Sequence, residues 1–425
     1  MNDVKACSKA SLAEMKVSLE KEYEAFRARG LNLDMSRGKP APSQLDLSGE
    51  LLEKKLDSHV SEDGTDVRNY GGPLGIPEAR KLFSELLGIP FERIIIGGNS
   101  SLNLMYDTLV RHMLFGTHGN RPWGKLDKVR FLCPAPGYDR HFAISEELGM
   151  EMIPVPMTPE GPDMDFVEGI VMSDESVKGI WCVPLYSNPQ GICYSDETVG
   201  RLAAMKTAAP DFRIMWDNAY GVHHIYGERH LRDIFQACDE AGNPDRPYYF
   251  FSTSKITLPG AGISLLATSP GNLEEVKKHM GIQIICYDKV NQLRTVRFLK
   301  NAEGVRAQMR RMADELRPKF DIVLNTLERE LGGSGLAFWQ KPQGGYFVAV
   351  DTLPGCARRT VELAKQAGVK MTGAGATFPY HRDPADSNIR IAPTYPSAEE
   401  LKTAIELFCL CVKLAGVEKL LQEKA

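Results

Sequence analysis

Between residues 93 and 268 short apolar runs alternate with helical patterns, and this alternation constrains the fold more than any other feature. The runs cover residues 93–96, 129–133, 152–155, 179–183, 212–216, 248–252 and 263–268. Several are apolar at consecutive rather than alternate positions, as expected for strands covered on both faces. Helices are predicted between them over residues 102–115, 140–148 and 197–207, the last capped by Ser195. Strands alternating with helices predict an α/β architecture: a large domain with a mostly parallel, helix-covered sheet. Polar or glycine-rich turns follow the runs, and open α/β sheets bind ligands at the carboxyl ends of their strands.

The flanking segments follow other rules. A helix is predicted over residues 8–29, with a Ser11/Glu14 capping box and Gly30 as its stop. Residues 41–70 read as polar and irregular. Pro77 opens a helix over 78–87, and Gly88 ends it. After about residue 300 the order changes to a long charged helix at 302–331, an apolar run at 344–350, a helix at 360–367, a short strand at 388–392 and an amphipathic helix at 398–414. This predicts a smaller α+β domain. The division expected is 1–60 as an N-terminal helix and arm packing with the small domain, 61–300 as the large domain and 301–425 as the small C-terminal domain.

A chain of 425 residues is too long for one small core. Its 25% of charged residues and net charge of −4 leave no basic excess for nucleic-acid phosphates. No apolar run reaches the length of a membrane span, and the first residues carry acids in place of a signal peptide's apolar core. The nine cysteines are scattered without a C-x-x-C pair, which fits reduced thiols in a cytoplasmic protein. Around the His223-His224 doublet no spacing resembles a metal site, and it reads as structural.

Chemistry concentrates in the strand-end turns. Phe250-Phe251-Ser252-Thr253-Ser254-Lys255 closes an aromatic strand with two serines and a lysine. Alone, such a lysine is most simply a solvated residue at a strand end. Partly desolvated, it would keep a fraction of free amine, the form that attacks an aldehyde, and the serines could hold a phosphate. Those are the needs of pyridoxal 5'-phosphate (PLP). Asp217 ends the apolar run Ile214-Met215-Trp216 and could pair with a protonated pyridine nitrogen, keeping the ring an electron acceptor. Tyr220 and Asn188 could donate to the coenzyme's phenolic oxygen, and Tyr138 could stack on its ring. Gly98-Asn99-Ser100-Ser101 opens a helix and makes an anion site. Each has a plain structural reading, as a cap, a turn or a core aromatic. Together they supply the complementary parts of one coenzyme site.

The ordered set G-N-S-S, P-G-Y, S-N-P-Q-G, D-N-A-Y, S-T-S-K and N-I-R resembles the fold-type I PLP-dependent aminotransferases, the aspartate aminotransferase superfamily. R-G-K-P, N-Y-G-G-P-L-G-I-P-E-A-R and D-K-V-N-Q-L-R are similar to a divergent bacterial aspartate aminotransferase subgroup, whose members often carry a MocR-like label. The resemblance runs from about residue 30 to 400. It implies that Lys255 joins the coenzyme aldehyde and shuttles the substrate proton, assisted by Asp217 and Tyr220. It further implies that Ser100, Ser101, Ser252 and Ser254 hold the phosphate, with Tyr70 reaching it from the neighbouring subunit of a homodimer. Arg390 would take the substrate α-carboxylate as a bidentate fork. Asn188, Gly38, Arg37 and Arg294 complete the implied substrate contacts. One departure stands out. The family's phosphate-binding arginine shortly after the lysine is missing from Ile256-Thr257-Leu258-Pro259-Gly260-Ala261-Gly262-Ile263.

The substrates implied are a small amino acid and a 2-oxo acid, with aspartate and 2-oxoglutarate favoured by the subgroup. An aromatic or alanine donor, or β-elimination on the same scaffold, is the alternative. A dicarboxylate needs a second cation, for which Arg294, Arg37, Lys39 and Arg140 are the candidates. A transcription regulator would need a basic DNA-binding module ahead of the sheet, and only one amphipathic helix precedes Arg37.

Overall fold

In the computed structural model, which describes residues 3–53 and 55–424, the seven apolar runs and the two-residue strand Gly161–Pro162, which was not predicted, form one eight-stranded sheet. Its order across the sheet is Ile94–Ile96, Ser264–Thr268, Pro247–Ser252, Arg213–Asp217, Val177–Cys182, Arg130–Ala135, Glu151–Thr158 and Gly161–Pro162. The five strands from Pro247–Ser252 to Glu151–Thr158 pair in parallel. Ser264–Thr268 runs antiparallel to both its neighbours, as Gly161–Pro162 does to its single one. The α/β class with a mostly parallel, covered sheet is as expected.

Both faces are buried, which explains the unbroken apolar runs. Ile94, Ile96, Ile180, Ile214, Trp216, Tyr249, Phe251 and Leu265 face one core, under the helices Pro77–Leu87, Asp196–Ala204 and Lys289–Leu299. Ile95, Phe131, Trp181, Met215, Tyr248, Phe250 and Leu266 face the other, under Ser101–Phe115, Asp139–Glu147 and Pro270–Gln283. Neighbours in sequence thus alternate between two cores, as a pleated strand requires.

A third core lies outside this sheet. It gathers Leu12, Leu19 and Tyr23 of the helix Lys9–Arg27 with Val348, Val350, Ile389 and Ile391 of a three-stranded antiparallel sheet. The helix Ala398–Glu423 packs on it through Leu401, Ile405 and Phe408. One helix serves two cores. In Ala302–Leu331, Val305, Met309 and Met312 lie against the large sheet, whereas Phe320, Val323 and Leu327 enter the third core.

Local details differ from expectation where capping competes. The first helix spans Lys9–Arg27, inside the predicted 8–29, but its cap is Ser8, whose side chain accepts from Ser11 N; Ser11 and Glu14, read as a capping box, lie inside it. Residues 41–70 contain two short helices, Pro42–Asp46 and Glu50–Glu53. The last helix runs to Glu423, nine residues past the predicted end, because its buried face continues through Val417 and Leu420. Pro77 and Gly88 bound their helix as read, with Gly88 left-handed at φ 70°. All nine cysteines are free.

Candidate active site

The carboxyl ends of the parallel strands and the turns after them enclose a cavity of about 190 Å³. It is lined by Ser100, Ser101, Tyr138, Asn188, Asp217, Tyr220, Ser252, Ser254 and Lys255, together with Leu102, Met105, Val183 and Ala219. Residues scattered over more than 150 positions meet there because parallel strands end on one edge.

Lys255 follows the strand Pro247–Ser252, and its Nζ lies 4.9 Å from the ring centre of Tyr220 and 5.3 Å from that of Tyr346. Desolvation pushes its pKa down, opposed by the carboxylate of Asp217 and assisted by the charge of Arg390. The result is more free amine at neutral pH. Burial holds the Tyr220 phenol well above its usual range, reinforced by Tyr138 and Asp217, so Tyr220 remains a proton donor. Tyr346 is delivered by Gly344-Gly345, which packs so tightly that a Cβ on Gly344 would sit 2.2 Å from the His223 carbonyl oxygen. His223 itself is buried, and desolvation with the nearby Lys255 charge lowers its pKa to about 3. The His223 ring is therefore neutral, and no group of His, Cys, Asp and Glu that could hold a metal ion occurs among the described residues.

Asp217 ends its strand 3% exposed. Its Oδ2 lies 3.0 Å from His141 Nε2, and the His141 ring stacks on Trp181 with centroids 4.2 Å apart. The other oxygen, Oδ1, is buried with no hydrogen-bond partner. An orphan carboxylate oxygen in a cleft is costly and calls for a cationic donor. A protonated pyridine nitrogen supplies one.

At the opposite end Ser100 N-caps the helix Ser101–Phe115 yet makes no side-chain capping bond, leaving its hydroxyl for an anion at the helix start. Ser252 Oγ and Ser254 Oγ are 3.1 Å apart, and Ser254 Oγ donates to the Asn99 carbonyl at 3.2 Å. Lys255 is the only cation among the described residues lining the cavity, so serines and backbone stand where an arginine was missed. Neutral bonds hold the arginine-free loop: Asn291 Nδ2 donates to the carbonyls of Ala261 and Gly262, at 2.9 and 3.0 Å. Gly262 approaches so closely that a Cβ would meet Thr253 Oγ1 at 2.7 Å.

A family model described as aspartate amino-transferase matches residues 7–424. The chain belongs to the aspartate aminotransferase family. A protein of Mycolicibacterium smegmatis is 51% identical over 95% of this chain and 96% of its own length. An aspartate aminotransferase of Corynebacterium glutamicum is 47% identical over 94% of this chain and 93% of its own. An aspartate transaminase crystal structure from that species superposes with a TM-score of 0.96 at 44% identity, covering 98% and 99% of the two chains. In fold alone the chain is also similar to the α-aminoadipate aminotransferase of Thermus thermophilus, solved with N-(5'-phosphopyridoxyl)-L-leucine. That match has a TM-score of 0.74 at 22% identity, covering 93% and 95% of the chains. The protein is a PLP-dependent aminotransferase of fold type I.

The other residues read from the sequence do not line this aminotransferase cavity among the described residues, and they differ in where they lie. Arg390, on the strand Asn388–Ile391, donates through Nη1 to Asp139 Oδ1 at 2.8 Å and to Asn188 Oδ1 at 3.3 Å. Phe347 lies under its guanidinium at 4.9 Å. Gly38 packs on that same ring, where a Cβ would come within 2.3 Å. Arg37, Lys39 and Arg140 are exposed near the surface, and Lys39 Nζ sits 3.8 Å over the Tyr395 ring. Arg294 is not brought into the cavity; its Nη2 donates to the carbonyls of Leu51 and Leu52. Tyr70 does not line the cavity either, and it stands 76% exposed on a loop held by Lys289 Nζ through the Asn69 and Gly71 carbonyls.

Sequence reasoning missed His141, Trp181, Asp139 and Tyr346. His141 was findable, since it lies three residues after Tyr138 at a helix start and so shares a face with it. Trp181 and Asp139 carry no local signal.

Proposed function

We propose that this aminotransferase takes its amino group from aspartate and passes it to 2-oxoglutarate, using the residues lining the cavity. The observation that carries the reading is Lys255, Asp217 and Tyr220 in one cleft, with Arg390 bonded to Asn188 at its edge. The likeness to proteins named for aspartate selects the donor.

PLP, when bound, supplies the sink for the electron pair left as a substrate Cα–H bond breaks. The Lys255 amine, partly neutral through desolvation, takes that proton on Nζ and returns it to the neighbouring carbon, so that the amino group changes owner. Asp217, oriented by His141, holds positive charge on the ring nitrogen side. Tyr220 donates to the phenolic oxygen side, with Asn188. Ser100, Ser101, Ser252 and Ser254 hold the phosphate, and Tyr138 stacks. Arg390 grips the α-carboxylate.

A dicarboxylate needs one more cation, and Arg37 is our candidate. Its loop is fixed near the strand that carries Arg390: Thr372 Oγ1 donates to the Ser36 carbonyl and Thr394 Oγ1 to the Lys39 carbonyl, both at 2.9 Å. Exposed Tyr70 belongs, in this reading, to the active site of a second copy, making the enzyme a homodimer. The same reading divides the chain into a coenzyme-binding unit over 61–300 and a small unit over 301–425 joined by residues 1–60. It places the protein in the cytoplasm.

Two assays test it. The purified protein should show a near-ultraviolet to visible band that borohydride fixes only when Lys255 is present; a colourless protein indifferent to added PLP ends the coenzyme assignment. A panel of amino donors with 2-oxoglutarate should rank aspartate first. Ammonia release without an acceptor would point to elimination instead.

A further inference from the structure

Arg390 is 8% exposed, and its only ion-pair partner among the described residues is Asp139. The guanidinium therefore already has a carboxylate on Nη1, at 2.8 Å. A substrate carboxylate arriving at the same fork brings a second negative charge to one positive charge, and two carboxylates sharing a site repel. Arg390 Nε is buried without a hydrogen-bond partner, an open donor on which the substrate carboxylate can land, and the two carboxylates then compete for one positive charge, so that one of the three groups should give way. Arg390 cannot, being enclosed by Asn188 and Phe347. Asp139 can: its side chain is 30% exposed and it is the first residue of the helix Asp139–Glu147, where a carboxylate turned to solvent is still favoured by the helix dipole.

We propose that Asp139 is an exchangeable counter-ion, holding Arg390 ready and leaving it when a substrate α-carboxylate binds, and that it thereby sets the affinity for every carboxylate substrate. The proposal rests on the reading of Arg390 as the carboxylate site. Its consequence runs against intuition, because deleting a carboxylate bonded to the key arginine should tighten substrate binding. A fixed orienting bond would predict the reverse.

The test uses the PLP-loaded enzyme with Asp139→Asn and Asp139→Ser, two variants so that a folding defect in one leaves the other to read. KM for aspartate and for 2-oxoglutarate should fall roughly three- to tenfold in both, as expected when competition by a partly exposed ion pair is removed. The dissociation constant of succinate, a dicarboxylate that cannot react, should fall by the same factor when read from the coenzyme's absorbance. Unchanged or raised constants overturn the proposal. Arg390→Gln separates the two failures. If it weakens succinate while the Asp139 variants do not strengthen it, the counter-ion idea alone falls. If it leaves succinate untouched, the Arg390 assignment falls and takes the proposal with it.

Discussion

The two charged ends of the cleft are built differently. Asp217 sits on a strand of the large sheet, and its supports, His141 and Trp181, belong to the same body. Arg390 sits on the small three-stranded sheet, but its partners Asp139 and Asn188 come from the large one's side. The first charge is held by a stacked ring inside one core. The second spans two cores, with a partly exposed partner. The contrast suggests a division of labour: a preorganised anchor for the coenzyme, and an adjustable clamp for substrates that must come and go twice per cycle.

Removing each end should therefore fail differently. Asp217→Asn should cost on the order of 10²- to 10³-fold in kcat, the scale of losing a preorganised electrostatic group, and should weaken coenzyme retention on dialysis. Retained activity would break the comparison outright. Arg390→Gln should raise KM for amino and oxo acids about 30-fold or more with coenzyme retention unchanged, as for a truncated charge pair. Loss of coenzyme there would mean the ends are not separable. His141→Phe keeps an aromatic ring for Trp181 but removes the bond to Asp217. About tenfold in kcat should go, the worth of one hydrogen bond to a charged group, with a shifted pH titration of the coenzyme band.

The smallest effect concerns Lys255 in the coenzyme-free protein. Its folded pKa is lowered by desolvation, so at neutral pH the unfolded chain binds more protons there than the folded one. The wild-type apoprotein should gain stability relative to Lys255→Met as pH rises from neutral toward the unfolded lysine value. Melting temperatures measured across that interval should converge. A gap independent of pH would show that the ammonium is solvated after all.

Much of this was legible beforehand. Apolar runs marked the strands because strands covered on both faces cannot hide polar residues, and Ser252, Ser254 and Lys255 announced themselves by breaking such a run. Short or weakly patterned elements were not legible: the helices Met164–Val171, Ile234–Glu240, Pro270–Gln283 and Lys289–Leu299 were not anticipated. Arg294 looked like a substrate cation because its charge is visible in sequence, whereas its carbonyl partners, Leu51 and Leu52, lie some 240 residues away.

By itself, the order of residues determined the α/β class, the strand-end turns and most of the polar groups that line the cleft, since periodicity and local chemistry are properties of neighbours. Only the tertiary structure decided that His141 steadies Asp217, that Asp139 faces Arg390, and that serines stand without an arginine. Those are contacts between segments far apart in the chain, set by how three cores pack around one cleft.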